Sequence, residues 1–140
     1  MPTSADGWCV DTSVAVAALD ASHEAHAVCR QAAQRHRPAL AGHAAFEAYS
    51  VLTRLPGNTR VTPDVAARAL SAAFPERCWL SHHQHERLLD RLAPLGLAGG
   101  TVYDALVGEA ARTAGRRLLT RDVRAIRVYE LLSVPYQLVG

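Results

Sequence analysis

Four acids carry the chemistry this sequence suggests: Asp11, Glu47, Asp104 and Asp122. Asp11 directly follows the apolar run Trp8-Cys9-Val10, and Asp122 follows Leu118-Leu119-Thr120. Asp104 comes just after the Gly99-Gly100 pair, and Glu47 lies in the first half of a helical stretch that begins after Gly42. If these four meet, they repel: two unit charges about 4 Å apart cost about 4 kcal/mol at an effective dielectric of 20. A hard divalent cation removes that repulsion, and oxygen-only ligands suit Mg²⁺ or Mn²⁺. Such a site activates water and stabilises charge on a phosphate, so metal-assisted hydrolysis of a phosphodiester is the natural reaction.

The elements that must position the acids alternate between short strands and helices. Strands are expected at Trp8–Val10, Pro38–Ala41, Cys78–Leu80, Leu118–Thr120 and Tyr136–Val139. Helices are expected from Val14 to Leu19, from a Ser22 cap to about His36, and from His43 to Leu55. Thr62-Pro63-Asp64 opens another with a capping hydroxyl, a proline and a first-turn acid. Ser81 and Gln84 form a capping box for the next, which runs to about Ala93. Thr101 to Ala114 and Val123 to Leu132 complete the set, with Gly115 stopping the former. The pattern predicts one α/β domain over residues 1–140 with a mostly parallel sheet of four to five strands and right-handed crossovers. Ligands of such sheets bind beyond the carboxyl ends of the strands, where all four acids fall.

Each acid also has an inert reading. Asp11 and Asp122 can cap the helices that follow them, Asp104 can answer a helix dipole, and Glu47 can pair with an arginine. Glu47 is the most telling, because Ala44, Ala48, Val51, Leu52 and Leu55 form an apolar stripe around it. An acid facing a core needs a partner, a proton or a metal.

Composition narrows the alternatives. All 15 basic residues are arginine, so the lysine of a phosphate-binding loop or a Schiff-base enzyme is absent. A net charge of +2 excludes a binder that works by bulk charge. Cys9, Cys29 and Cys78 are too widely spaced for a zinc ribbon and read as buried free thiols. With Asp6 as the first charge and Arg30 the first arginine, the N-terminus does not read as a signal peptide, and no apolar run spans a membrane. A cytoplasmic protein is expected.

Val10-Asp11-Thr12-Ser13, the helix around Phe46-Glu47 with Val51, Leu52 and Leu55, Tyr103-Asp104-Ala105, and Leu119-Thr120-Arg121-Asp122 together resemble the PIN-domain ribonucleases. The closest resemblance is to the VapC-like toxins of bacterial toxin–antitoxin pairs, and it spans nearly the whole chain. It implies a PIN-like three-layer α/β/α fold with helices flanking the parallel sheet, Mg²⁺-dependent endoribonuclease activity, a homodimer, and inhibition by a cognate antitoxin protein. Carried over by position, Asp11, Glu47, Asp104 and Asp122 form the acidic site, and Ser13 and Thr120 are the supporting hydroxyls beside it. Within that reading Asp11 and Asp104 are direct metal ligands, Asp122 binds directly or through water, and Glu47 acts through water. The glycine-rich Leu97–Gly100 departs from the family pattern before Asp104.

Arg112, Arg116, Arg117, Arg121, Arg124 and Arg127 cluster around Asp122 and suit a polyanion such as RNA, although each alone reads as solvated surface. His82, His83 and His85 read as polar surface, Trp79 and Phe74 as core, and Glu109 with Arg112 or Thr113 as ordinary helix-surface neighbours. Two rival readings remain: a non-catalytic PIN-like interaction or RNA-binding module, and a phosphohydrolase of small phosphates.

Overall fold

Three apolar residues suffice for the first strand because it lies at the centre of the sheet, covered on both faces. The computed structural model describes residues 7–140, and the signal-peptide reading of the N-terminus falls on 1–6, outside the described residues. The elements run β1 (Trp8–Val10), α1 (Thr12–Leu19), α2 (His26–His36), β2 (Ala39–Ala41), α3 (Gly42–Thr53), a 3₁₀ turn (Gly57–Thr59), α4 (Pro63–Ala73), β3 (Arg77–Cys78), α5 (His82–Leu92), α6 (Thr101–Thr113), β4 (Arg117–Thr120), α7 (Val123–Leu131) and β5 (Tyr136–Leu138). All strands pair in parallel, in the order β3-β2-β1-β4-β5.

That order reverses at β1. The chain steps outward through β2 and β3, then returns to lay β4 on the other side of β1. The crevice between β1 and β4 is therefore the switch point where a parallel sheet opens to a ligand. Val10 pairs with Leu119, so Asp11 and Thr120 emerge side by side at that crevice. Right-handed crossovers place α1–α4 over one face and α5–α7 over the other. Most of the packing follows this division: α1 contacts α2 and α3, α3 contacts α4, and α6 contacts α5 and α7, while α3 also meets α6 across it. The core between them includes Val10, Leu40, Leu118 and Leu119 from the strands and Val14, Leu52, Leu88 and Val128 from the helices.

Several expected boundaries move for identifiable reasons. Ser22 does not cap α2. Its backbone N–H and its hydroxyl both donate to Asp20 Oδ1, at 3.0 and 2.6 Å, and α2 starts four residues later without a side-chain cap. The third strand is Arg77–Cys78, one residue earlier than expected, which leaves Trp79 outside the sheet and 56% exposed. Trp79 is thus not core, whereas Phe74 is fully buried. Glu109 is not a surface residue either. It is 4% exposed, and the Arg112 fork closes on it at 2.8 and 2.9 Å while Arg91 Nη1 approaches Oε2 at 3.2 Å from α5. The Arg112 fork holds the Glu109 carboxyl below the usual carboxylate range. Both cappings that the sequence specifies most fully, Thr62 on α4 and the Ser81–Gln84 box on α5, are present.

One contact ties the fold to the site. Gly108 on α6 faces the buried ring of Tyr129 on α7, and a Cβ there would come to 2.9 Å from Cδ1 and 3.2 Å from Val134 Cγ2. Gly108→Ala is therefore expected to cost about 1–3 kcal/mol by overpacking, a loss that chemical denaturation would measure against the parent.

Candidate active site

Asp11 ends β1 and caps α1, and it is 3% exposed. Its carboxylate has about four acceptor positions, and four donors reach it. Ser13 Oγ donates to Oδ1 at 2.6 Å and Val14 N–H at 3.2 Å; Tyr129 OH donates to Oδ2 at 2.9 Å, and Thr120 Oγ1 donates to Oδ2 as well. The two supporting hydroxyls also accept: Ser13 Oγ from Arg121 N at 2.9 Å, and Thr120 Oγ1 from Asp122 N at 3.0 Å. The turn after β1 and the turn after β4 are thereby locked into one unit. Burial pushes the Asp11 pKa up, while these donors pull it down.

Asp122 caps α7 through Oδ1, which accepts from Arg124 N at 3.0 Å. Glu47 comes from α3, where Thr12 Oγ1 donates to Oε1 at 3.0 Å and His43 Nε2 lies 3.8 Å away. The expectation that Glu47 faces the core is corrected here: its side chain is 38% exposed. Ala44, Ala48 and Leu52 are the buried row of α3, and Glu47 lies with His43, Val51 and Leu55 on the half-buried row beside it. It therefore looks into the cleft rather than into the core.

Asp104, in the first turn of α6, is different from the other three. Among the described residues no donor reaches its half-buried carboxylate. Burial is the main cause that raises its pKa to about 6, and Asp122, Glu47 and Asp11 add like charge in that order. The same convergence reaches Tyr129, whose hydroxyl is pushed far up by burial and then by Asp11, Asp104 and Asp122. The charges of Asp122, Glu47 and Asp11 thus all reach Asp104 at the carboxyl ends of β1 and β4, where α3 and α6 pack against each other. Among the described residues, no three His, Cys, Asp or Glu side chains stand grouped tightly enough to hold a metal ion as they are.

The PIN domain family profile matches residues 8–131.

The chain belongs to the PIN domain family.

It is 45% identical over 131 residues to Ribonuclease VapC40 of Mycobacterium tuberculosis, covering 92% of this chain and 96% of that protein. It is 46% identical over 125 residues to Ribonuclease VapC27 of the same species, covering 89% and 91%. These similarities place it among the VapC-like PIN domains. Two solved structures share its fold. One is VapBC2 from Rickettsia felis bound to a promoter DNA fragment, with TM-score 0.65, 14% identity, and 95% and 98% coverage. The other is Mycobacterium tuberculosis VapC20, described as a sarcin–ricin loop cleaving toxin, with TM-score 0.66, 18% identity, and 87% and 95% coverage.

In this PIN domain the arginine cluster splits. Arg116 binds Trp8 O at 3.1 Å and Glu76 Oε2 at 2.9 Å, and Arg117 lies 4.6 Å above the Trp8 ring. Both stand at the amino ends of β1 and β4, opposite the acids. Arg112 is committed to Glu109. Arg121 Nη1 donates to Val139 O at 3.0 Å, so of this cluster Arg124 and Arg127, exposed on α7, are the ones without a partner among the described residues. Tyr129 is the site residue that composition and spacing did not single out. Its signal is a tyrosine within the buried row Ala125, Val128 and Leu132, where a phenol hydroxyl needs a polar partner.

Proposed function

We propose that this PIN domain is a divalent-metal-dependent endoribonuclease, the toxin of a toxin–antitoxin pair, which hydrolyses RNA phosphodiester bonds at the four-carboxylate site. The observation that carries this reading is Asp104: a half-buried acid without a hydrogen-bond donor among the described residues, pressed by three other acids. The site fits a hard cation because its donors are all carboxylate oxygens and, among the described residues, no arginine pairs with any of the four. Asp104, Asp122 and Glu47 would hold it, with Asp11 joining them by exchanging one of its hydroxyl donors for the ion, and with Mg²⁺ the first choice and Mn²⁺ a substitute. Bound there, such a cation supplies Lewis-acid stabilisation of charge on the phosphate and makes water a better nucleophile near neutral pH.

The chain's own residues supply the geometry. Asp11, fixed by four donors, is the rigid reference point of the site. Ser13 and Thr120 keep the two strand ends in register. Asp122 spends Oδ1 on its helix cap and keeps Oδ2 for the cleft. Thr12 aims Glu47 at the same gap, where it can orient the attacking water. The similarity to ribonucleases of the VapC type supports RNA as the substrate. The VapBC2 likeness supports a cognate antitoxin protein as partner. A homodimer acting in the cytoplasm completes the reading; no helix among the described residues is long and apolar enough to cross a membrane.

The test is cleavage of a structured RNA by the purified protein with Mg²⁺ and with a chelator, alongside a small phosphate ester. RNA cutting that appears only with metal supports the reading, and turnover of the small ester alone sinks it.

A pH effect follows from Asp104. Its carboxyl titrates near 6 and must lose its proton before it can bind a cation. Mn²⁺ affinity is therefore expected to fall about tenfold for each pH unit below 6. Calorimetric titrations at pH 7.5 and 5 check this.

A further inference from the structure

A line of rings leads away from the acids. Tyr103, next to Asp104 on α6, is 49% exposed and stacks on His43, with ring centroids 5.1 Å apart and planes 9° apart. His43 in turn approaches Glu47. One turn along α3, Phe46 is 66% exposed and meets Trp79 edge-on, at 6.0 Å and 67°. Trp79 lies flat against the start of α3, where glycine is required because a Cβ at Gly42 would overlap its ring. These large rings are held in place yet left bare, and clustered apolar exposure of this kind marks a binding surface.

Between them lies a cavity of about 170 Å³, lined by Gly42, His43, Phe46, Trp79, His85 and Leu106 among others. That is well below the roughly 300 Å³ at which pockets begin to take whole drug-sized ligands, and it suits a single flat ring system. His85 Nδ1 lies 3.0 Å from Ser81 O, so in the neutral ring Nδ1 donates and Nε2 is left as an acceptor. On the far side of Phe46 and Trp79 a second groove of about 380 Å³ continues, with Arg77 on its wall.

We propose that the smaller cavity is a base-binding subsite, which takes one nucleobase of a single-stranded RNA beside the phosphodiester held at the acids. This rests on the ribonuclease reading above. Aromatic platforms interleaved with cationic side chains are how proteins hold single strands, because every base has a stacking face. The cavity is too small for a protein helix or strand, and the His43–Tyr103 stack joins it directly to Glu47 and Asp104. Trp79 and Phe46 supply the stacking faces, His85 Nε2 accepts from an N–H of the base edge, and Arg77 holds a neighbouring phosphate.

The experiment measures cleavage of a short unstructured oligoribonucleotide by Phe46→Ala, Trp79→Ala and Trp79→Phe. Both side chains are exposed, so the variants are expected to melt with the parent. Each alanine variant raises KM about tenfold or more, as loss of one base stack does, while kcat holds and Trp79→Phe keeps the parent KM. In a second arm, Asp104→Asn protein in chelator is titrated with the same oligoribonucleotide. Tryptophan emission falls, and the fall is lost when Trp79→Phe is added. Parent-like KM in both alanine variants overturns the subsite while leaving the ribonuclease reading intact. So does a change of oligomeric state with unchanged RNA binding, which would assign the rings to a protein interface. Quenching without cleavage by the parent in any metal supports the subsite and removes the ribonuclease reading.

Discussion

Replacing Asp104 by asparagine is expected to abolish RNA cleavage and, in metal-free buffer at pH 8, to raise the melting temperature. The two effects have one cause. Asp104 is held among three acids and lifted from an ordinary value of 3.8 to about 6. A raised carboxyl favours the folded state while it stays protonated, and that contribution is lost as the pH rises through 6. At pH 8 the Asp104 carboxyl of the parent is ionised beside like charge, whereas asparagine keeps the shape without the charge. Water still reaches the half-buried group and screens it, so the gain is expected to be about 2–4 °C. It should vanish by pH 4, where both proteins are neutral at this position. Activity moves the other way: outer-shell partners of a metal typically cost about 10–100-fold when removed, and a direct ligand costs at least the upper end. Thermal melts across pH, paired with cleavage assays, decide the matter. An Asp104→Asn variant that loses several degrees in chelator at pH 8 would show that Asp104 is a helix cap.

Asp11→Ala should do the opposite to stability while doing the same to activity. Asp11 is buried and is the common acceptor for Ser13, Val14, Thr120 and Tyr129. Removing it leaves the Tyr129 hydroxyl and a backbone N–H without an acceptor in a dry site, and it opens a small void under the two strand ends. Each stranded buried donor costs about 1–3 kcal/mol. Ser13 and Thr120 can turn elsewhere, so the net loss is expected to be about 2–4 kcal/mol, or on the order of 10 °C in melting temperature. Asp11→Asn retains an acceptor oxygen and should melt between the parent and Asp11→Ala while remaining inactive. Differential scanning calorimetry of the three proteins in chelator gives the ordering. Equal melting for Asp11→Ala and the parent would mean that the four-donor cluster contributes nothing.

Much of this was legible in the residues. The short apolar runs before Asp11 and Asp122 mark β1 and β4 because a central parallel strand needs no polar face. Caps spelled out by two or three residues, such as Thr62-Pro63-Asp64 and Ser81 with Gln84, formed as expected because their partners are local. The misses all depend on partners distant in sequence or on competition between near ones. Ser22 lost its cap to Asp20. Glu47 lies at the edge of its stripe, where periodicity cannot tell the core from a cleft. Glu109 is buried because Arg91 arrives from α5, 18 residues away. Trp79 is exposed because β3 ends two residues sooner and Gly42 offers it a flat backbone to lie on. Tyr129 finds Asp11 across 118 residues of chain, a pairing that no local spacing encodes.

The most direct measurement is a Mn²⁺ titration followed by electron paramagnetic resonance at pH 7.5, on the parent and on Asp104→Asn. The four acids around the β1–β4 crevice predict saturable binding by the parent that Mg²⁺ competes away, and binding weakened by about tenfold or more in the variant. Identical binding curves for the two proteins, or no saturable binding by the parent, would contradict a cation held among these acids.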